Sequence, residues 1–257
     1  MEWKTELTQV IPNNIRMRGY LVQELMEKCN FGEVVYLLLK GEPPTPAEGR
    51  MMNALLVAVI DHSVMAPSAC ATRFVASGGS PIQSAVAAGI QALGSHHGGA
   101  IEEAQVLLMD GVKRAERENK TIEETAIAIA EEYKEKKKRL PGYGHPYHKE
   151  DPRTTQLFKL AEELGFSGPH LELCKALQTA AEKVMGRKLT INVDAAMAGV
   201  LAEMGFPWMM ARGFFIISRC AGLVAHAFEE YTKEKPFRAV PLEEVSYQGP
   251  AERKIER

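Results

Sequence analysis

Cysteine is scarce and scattered. Cys29, Cys70, Cys174 and Cys220 form no C-x-x-C pair, which argues against a structural zinc site and fits reduced, mostly buried thiols in a cytoplasmic protein. Charge of one sign is also lacking. The formal net charge is −2, whereas a general nucleic-acid binder would be strongly basic. Apolar runs are short and interrupted by charge, so no membrane span is expected. The amino terminus, Met1-Glu-Trp-Lys-Thr-Glu, has neither a basic leader nor an apolar core, and no signal peptide is expected. No strand-helix alternation and no convincing sheet can be picked out.

The 257 residues, 46% of them hydrophobic and 25% charged, are those of a globular chain long enough for one large domain or two lobes. Residues 1–20 read as irregular around the turn Pro12-Asn13-Asn14. Apolar spacing predicts helices over 21–28, 31–40, 46–60, 69–75, 81–93 and 101–109. Two solvated helices follow, the second opened by Thr121 with Glu124. Further helices are expected over 154–164, 171–185, 195–204 and 211–231, with 189–194 briefly extended and the tail from Lys233 a charged arm. Thr45 with Glu48, like Thr121 with Glu124, has capping-box spacing, and Gly165 suits a helix end. Small residues in 69–75 and 81–93 permit close approach, as in central helices or helices at a subunit interface. The fold class is all-α.

One stretch stands apart: Leu140-Pro-Gly-Tyr-Gly-His-Pro-Tyr-His-Lys-Glu-Asp-Pro-Arg153. Two glycines and three prolines cannot continue a helix, yet the loop carries histidines, a lysine, an acid and an arginine. Five of the six preceding residues, 134–139, are basic, so an anion is the expected guest. Elsewhere His62 ends an apolar helix, His97 sits in a glycine-flanked break and Asp194 follows an apolar run. Arg219 lies inside Phe214-Phe-Ile-Ile-Ser-Arg-Cys220 and must be paired, because an unpaired buried charge costs several kcal/mol. If no acid of the chain pairs it, a carboxylate ligand will.

Blander readings stand beside these. His62 could be a satisfied helix-end histidine, Asp194 an N-cap, Arg238 a solvated tail residue and His226 a packing or capping group. His96 reads as a neighbour of a working residue. A metal hydrolase could use His145 and His148 with His96 and His97, but no H-E-x-x-H or acid cluster accompanies them. No metal is expected.

Together the segments resemble the citrate synthase-like enzymes, in family order along nearly the whole chain. Phe31-Gly-Glu-Val-Val-Tyr-Leu-Leu-Leu-Lys-Gly-Glu-Pro-Pro-Thr45 is similar to an early helix and turn. Asp61-His62 and Gly94-Ser-His-His-Gly-Gly-Ala100 are similar to two histidine motifs, and Pro141-Gly-Tyr-Gly-His145 with Asp151-Pro-Arg153 to the family's most distinctive loop. Asn192-Val-Asp194 resembles the catalytic-acid segment and Ser218-Arg219 the late arginine. Within the family, Asp61-His-Ser-Val-Met-Ala-Pro-Ser68 and the tail Phe237-Arg-Ala-Val-Pro-Leu-Glu-Glu-Val-Ser-Tyr247 look more like the citryl-CoA lyases and the cleavage domain of ATP-citrate lyase. His97 is shared instead with the synthases.

The resemblance implies a two-lobed helical fold, with residues 1–100 and 194–257 forming a large dimer-making lobe and 101–193 a small mobile one. It implies His97, His145 and Asp194 as catalytic groups, and His62, Arg153, Arg219 and Arg238 as carboxylate ligands, Arg238 reaching into the partner's site. It implies that Pro141, Gly142, Tyr143 and Gly144 lie along an adenine and that Lys149, Arg187 and Lys188 meet phosphates, with His148 able to take the place of Lys149. A coenzyme A thioester is then substrate or product, with no permanently bound cofactor. The other partners are di- and tricarboxylates and a second copy of the chain, in dimers that could pair into tetramers. The activity implied is cleavage of citryl-CoA, with citrate synthesis or a related condensation as the alternative.

Overall fold

The computed structural model describes residues 2–145 and 148–255. Pro146 and Tyr147 of the loop singled out above lie outside the described residues. The chain opens with three short antiparallel strands, β1 (Thr8–Ile11), β2 (Asn14–Met17) and β3 (Tyr20–Leu21), in the order β1-β2-β3. Helices follow: α1 (Val22–Lys28), α2 (Phe31–Lys40), α3 (Pro46–Ala58), α4 (Pro67–Ser77), α5 (Ile82–Gln91) and α6 (Ala100–Glu118). After them come α7 (Ile122–Glu135), α8 (Pro152–Leu164), α9 (Pro169–Met185), α10 (Val193–Glu203) and α11 (Ala211–Lys233). The all-α expectation holds, with the meander a small addition.

Local signals explain most helix starts. Both expected capping boxes form, Thr45 with Glu48 and Thr121 with Glu124, each side chain accepting from the other's backbone N–H. Asn30 with Glu33 makes a third at the head of α2. Gly165 and Gly186 end α8 and α9 in the left-handed conformation.

Three expectations need correction. Residues 1–20 are not irregular: the turn at Asn13, φ 62°, closes a hairpin that pairs Val10 with Ile15. Residues 101–118 form one helix rather than two, because Gly111 is a packing position and not a break. A Cβ there would run into the Leu173 side chain of α9. The segment from Trp208 to Lys233 is long and apolar enough, by length and composition, to cross a membrane. Here it buries Phe214, Phe215 and Leu223 and packs on α3, α4, α5 and α6.

The core is centred on α10, whose Val193 and residues 195–202 are all buried. Around it one continuous apolar cluster takes in Met51 and Leu55 of α3, Ile101 and Leu108 of α6, Leu157 of α8, Leu171 and Leu177 of α9, and Phe214 of α11. A smaller cluster, Ala76, Ala85 and Ala227, joins α4, α5 and α11. Small residues let those three helices close up, as their composition suggested. Because α10 is sheathed by apolar neighbours, its polar first turn is the part left facing a site.

Candidate active site

Two chain breaks are zipped together at that first turn. Gly144 N donates to Thr190 O at 2.6 Å, Asn192 N to Gly142 O at 3.0 Å and Asn192 Nδ2 to Gly144 O at 3.1 Å. Tyr143 and Ile191 pair across the short ladder. The loop is anchored from below by Tyr143, whose hydroxyl donates to Cys174 O at 2.7 Å. Gly142, at φ +80°, lies against Ala195, where an added Cβ would stand 2.5 Å from the alanine Cβ. His145 follows this ladder on one side and Asp194 on the other, so backbone hydrogen bonds bring the two together.

Asp194 is the second helical residue of α10, capped by Asn192, whose Oδ1 accepts from Asp194 N at 3.0 Å and Ala195 N at 3.4 Å. The N-cap reading of Asp194 is therefore corrected: Asn192 has that task, and the Asp194 carboxylate is spare. Its Oδ1 is buried without a hydrogen-bond partner among the described residues. A helix N-terminus favours a carboxylate anion, but burial wins here and pushes the Asp194 carboxyl up to about 6. Arg153 and Arg219 pull against that rise and Asp151 adds to it.

His62 and His145 meet edge to face with centroids 6.2 Å apart. His145 Nδ1 accepts from His148 N at 3.0 Å, and the two imidazoles lie 4.4 Å apart. His97 packs edge-on to Phe215 at 6.2 Å. Its Nε2 faces Ser68, accepting from the backbone N–H at 3.4 Å and lying 2.9 Å from Oγ. Since Ser68 N is an unpaired donor in the first turn of α4, Nε2 is assigned as the acceptor and Nδ1 as the protonated nitrogen. Burial lowers all three imidazole pKa values. For His97 and His62 the neighbouring arginines lower them further, and for His145 His148 does so.

Arg219 is 2% exposed, and no carboxylate pairs with it among the described residues. Its Nε donates to Val59 O at 3.0 Å and its Nη1 to Ser68 Oγ at 3.3 Å, over the Phe215 ring at 4.7 Å. Burial lowers its pKa. Arg153 is chelated by Asp151, Nε to Oδ1 at 3.0 Å and Nη2 to Oδ2 at 2.8 Å. Asp151 also caps α8 and accepts from Val193 N at 3.2 Å, so one carboxylate fixes Arg153 relative to the turn that carries Asp194.

The remaining expected residues lie further out. Lys149 and Lys188 line one cavity of about 230 Å³ with Asp151 and Thr190. Arg187 is exposed beside it, and Lys134 Nζ donates to Val184 O at 2.6 Å, bringing the basic run 134–139 to the same side. Arg238 is not with these groups. It pairs with Glu230 near the far end of α11, eleven residues or about 16 Å along the helix from Arg219. His96 is exposed. His226 pairs with Asp61, Nε2 to Oδ1 at 2.9 Å. No group of three or more metal-ligating side chains is found among the described residues. Ser68 and Asp151 are the members that sequence reasoning missed. The Asp-Pro pair at a helix start was a usable signal for Asp151, whereas Ser68 gave none.

The chain as a whole has known relatives. The family model described as citrate synthase, C-terminal domain, matches residues 2–51 and 44–240. The chain belongs to the citrate synthase family. It is 44% identical in sequence to the citryl-CoA lyase of Hydrogenobacter thermophilus, superposing with a TM-score of 0.90 over 99% of this chain and 97% of that one. It is 30% identical over 235 residues, 89% of its length, to the citrate/2-methylcitrate synthase of Bacillus subtilis. It is 34% identical over 192 residues, 71% of its length, to the peroxisomal citrate synthase 1 of Arabidopsis thaliana. The chain spans 58% and 37% of those two proteins. The ATP citrate lyase of Methanosaeta concilii, 19% identical, shares the fold with a TM-score of 0.82 over 98% of this chain and 42% of that one.

Proposed function

We propose that this protein cleaves citryl-CoA to acetyl-CoA and oxaloacetate by acid–base catalysis through a thioester enolate. What carries the reading is the unpartnered carboxyl of Asp194, on the turn zipped to the loop that carries His145 and within the field of an Arg219 that no carboxylate pairs among the described residues, on a chain 44% identical to a citryl-CoA lyase over almost its whole length.

In the forward step His145 takes the proton of the citryl hydroxyl. The oxygen's electron pair forms the ketone of oxaloacetate as the carbon–carbon bond breaks, and that bond's electrons pass to the thioester as an enolate. His97, protonated at Nδ1, donates to the enolate oxygen. Asp194 delivers its proton to the terminal carbon, which becomes the methyl of acetyl-CoA. Burial moves both groups the way the step requires: it favours the neutral imidazole of His145 and raises the Asp194 carboxyl to about 6, so that a larger share of it carries a proton than an ordinary carboxyl would. Positioned groups of this kind are each worth about 10² to 10⁴ in rate.

Arg219 and Arg153 would hold the carboxylates with His62. Arg153 uses Nε and Nη2 on Asp151, which leaves Nη1 for a ligand. Pro141, Gly142, Tyr143 and Gly144 would lie along the adenine, with Lys149, Arg187 and Lys188 toward the phosphates. Coenzyme A is handled as substrate, not as a resident cofactor. The protein acts as a homodimer in this reading. Phe74, Val224 and Phe228 on α4 and α11 are exposed apolar groups that a second copy would cover, and Arg238 would then serve the partner's site. Residues 101–193 would close as the small lobe, keeping solvent from the enolate.

The competing reading is condensation to citrate, favoured by the 30% to 34% identity to citrate synthases. The test is to supply citryl-CoA and follow oxaloacetate. Wild-type protein should release it, and D194N and H145Q should lose most of the rate. Release unaffected by either substitution would remove the mechanism.

A further inference from the structure

Arg238 is held in a cluster built across three segments. Glu230 of α11 is 3% exposed and uses both carboxylate oxygens. Oε2 accepts from Arg73 Nε of α4 at 2.6 Å, and Oε1 lies 2.7 Å from Arg238 Nε. Arg73 is further tied to Glu229 at 2.7 Å and Glu234 at 3.1 Å. Glu234 also reaches Arg238 Nη2 at 3.1 Å, and Arg238 N donates to Ser77 Oγ at 3.2 Å. Phe237, Val240 and Leu242 around it are exposed, so little besides this cluster fixes the tail.

Two features distinguish the cluster from a simple staple between α4 and α11. Arg73 already spans Glu229, Glu230 and Glu234 and makes its hydrogen bond to only one oxygen of Glu230, and the second oxygen faces Arg238. That contact is an ion pair without hydrogen-bond alignment, since Oε1 and Nε each lack a hydrogen bond. The guanidinium is thus held by charge along one edge and keeps Nη1 clear of the acids, at a side chain 34% exposed.

We infer that Glu230, itself braced by Arg73, is the positioning residue for Arg238 and so sets the affinity for the oxaloacetate end of the substrate. The inference rests on the reading of Arg238 as a carboxylate ligand for the partner's site. Without the Glu230 carboxylate, Arg238 keeps Glu234 and Arg73 keeps Glu229 and Glu234 as charge partners, so what is lost is the one buried anchor that fixes the guanidinium, and the effect should fall on ligand affinity.

The test compares E230Q, R238A and the double variant, measuring oxaloacetate and CoA affinity by calorimetry, KM and kcat for citryl-CoA, and molecular mass by light scattering. E230Q should weaken oxaloacetate binding and raise KM about tenfold, leave kcat and CoA affinity within about twofold, and remain dimeric. The double variant should be no worse than R238A. Should E230Q not fold, R73K, which keeps the charge but not the fork, carries the same comparison. If R238A weakens oxaloacetate and the E230Q effect simply adds to it, or is nil, the inference is wrong. If R238A itself leaves oxaloacetate binding intact, the reading of Arg238 falls and this inference with it.

Discussion

His62 and His145, from two loops far apart in the chain, meet edge to face at 6.2 Å and 89°. The contact makes one imidazole a wall against which the other is oriented, and their roles should separate on mutation. H145A should lose about 10² to 10⁴ in kcat with a modest change in KM, as expected for a proton-transfer group. H62A should raise KM for citryl-CoA and leave most of kcat. Steady-state kinetics check this; a larger kcat loss at His62 than at His145 would reverse the roles.

The buried carboxyl of Asp194 makes a stability prediction with a definite sign. Its folded pKa, about 6, lies above the ordinary 3.8. Between those values the native state holds more protons than the unfolded one, so Asp194's contribution to stability falls as pH rises from 4 to 6 and stays lost above. A shift of roughly two units sets a ceiling of about 3 kcal/mol. D194N should therefore melt several degrees higher than wild type at pH 7.5 in calorimetry, with the gap closing by pH 4. Equal melting temperatures at both pH values would count against the burial argument.

Rate should follow the same two groups. Cleavage needs His145 neutral and Asp194 protonated, so kcat/KM for citryl-CoA should decline as pH rises through about 6, where Asp194 loses its proton, and fall again in more acid solution as His145 protonates. Exchange of the acetyl-CoA methyl protons with solvent needs Asp194 ionised and should instead rise through about 6. Cleavage that accelerates from pH 6 to 8 would show that another group supplies the proton.

Gly142 and Gly144 both have positive φ, +80° and +106°, but only Gly142 is crowded. An added Cβ at Gly144 meets nothing within 4 Å and costs about 1–3 kcal/mol for the dihedral alone. At Gly142 the clash with Ala195 adds a similar amount. G142A should lower Tm by roughly 6 °C or more and weaken CoA binding, because it pries the loop from α10; G144A should do less on both counts. The reverse order, measured by thermal melts and calorimetry, would place the tight contact elsewhere.

Much of this was readable before any coordinates because its cause is local. Thr45 with Glu48 and Thr121 with Glu124 act within one helical turn, and both boxes form. The meander escaped notice because Val10 and Ile15 are exposed, so no burial-driven alternation marks the strands. The continuity of 101–118 is not local in cause either, because the close packing at Gly111 against Leu173 comes from another helix. The site divides in the same way. His97, His145, Asp194 and Arg219 stand in recognisable motifs, while Ser68, which touches both His97 and Arg219, is an ordinary first-turn serine until the fold delivers it.

The fate of citryl-CoA itself tests the central proposal most directly. Incubated with the protein and quenched at intervals, it should yield acetyl-CoA and oxaloacetate in equal amounts. If free citrate and CoA accumulate instead, the protein hydrolyses the thioester as a condensing enzyme would, and the proposed lyase is contradicted.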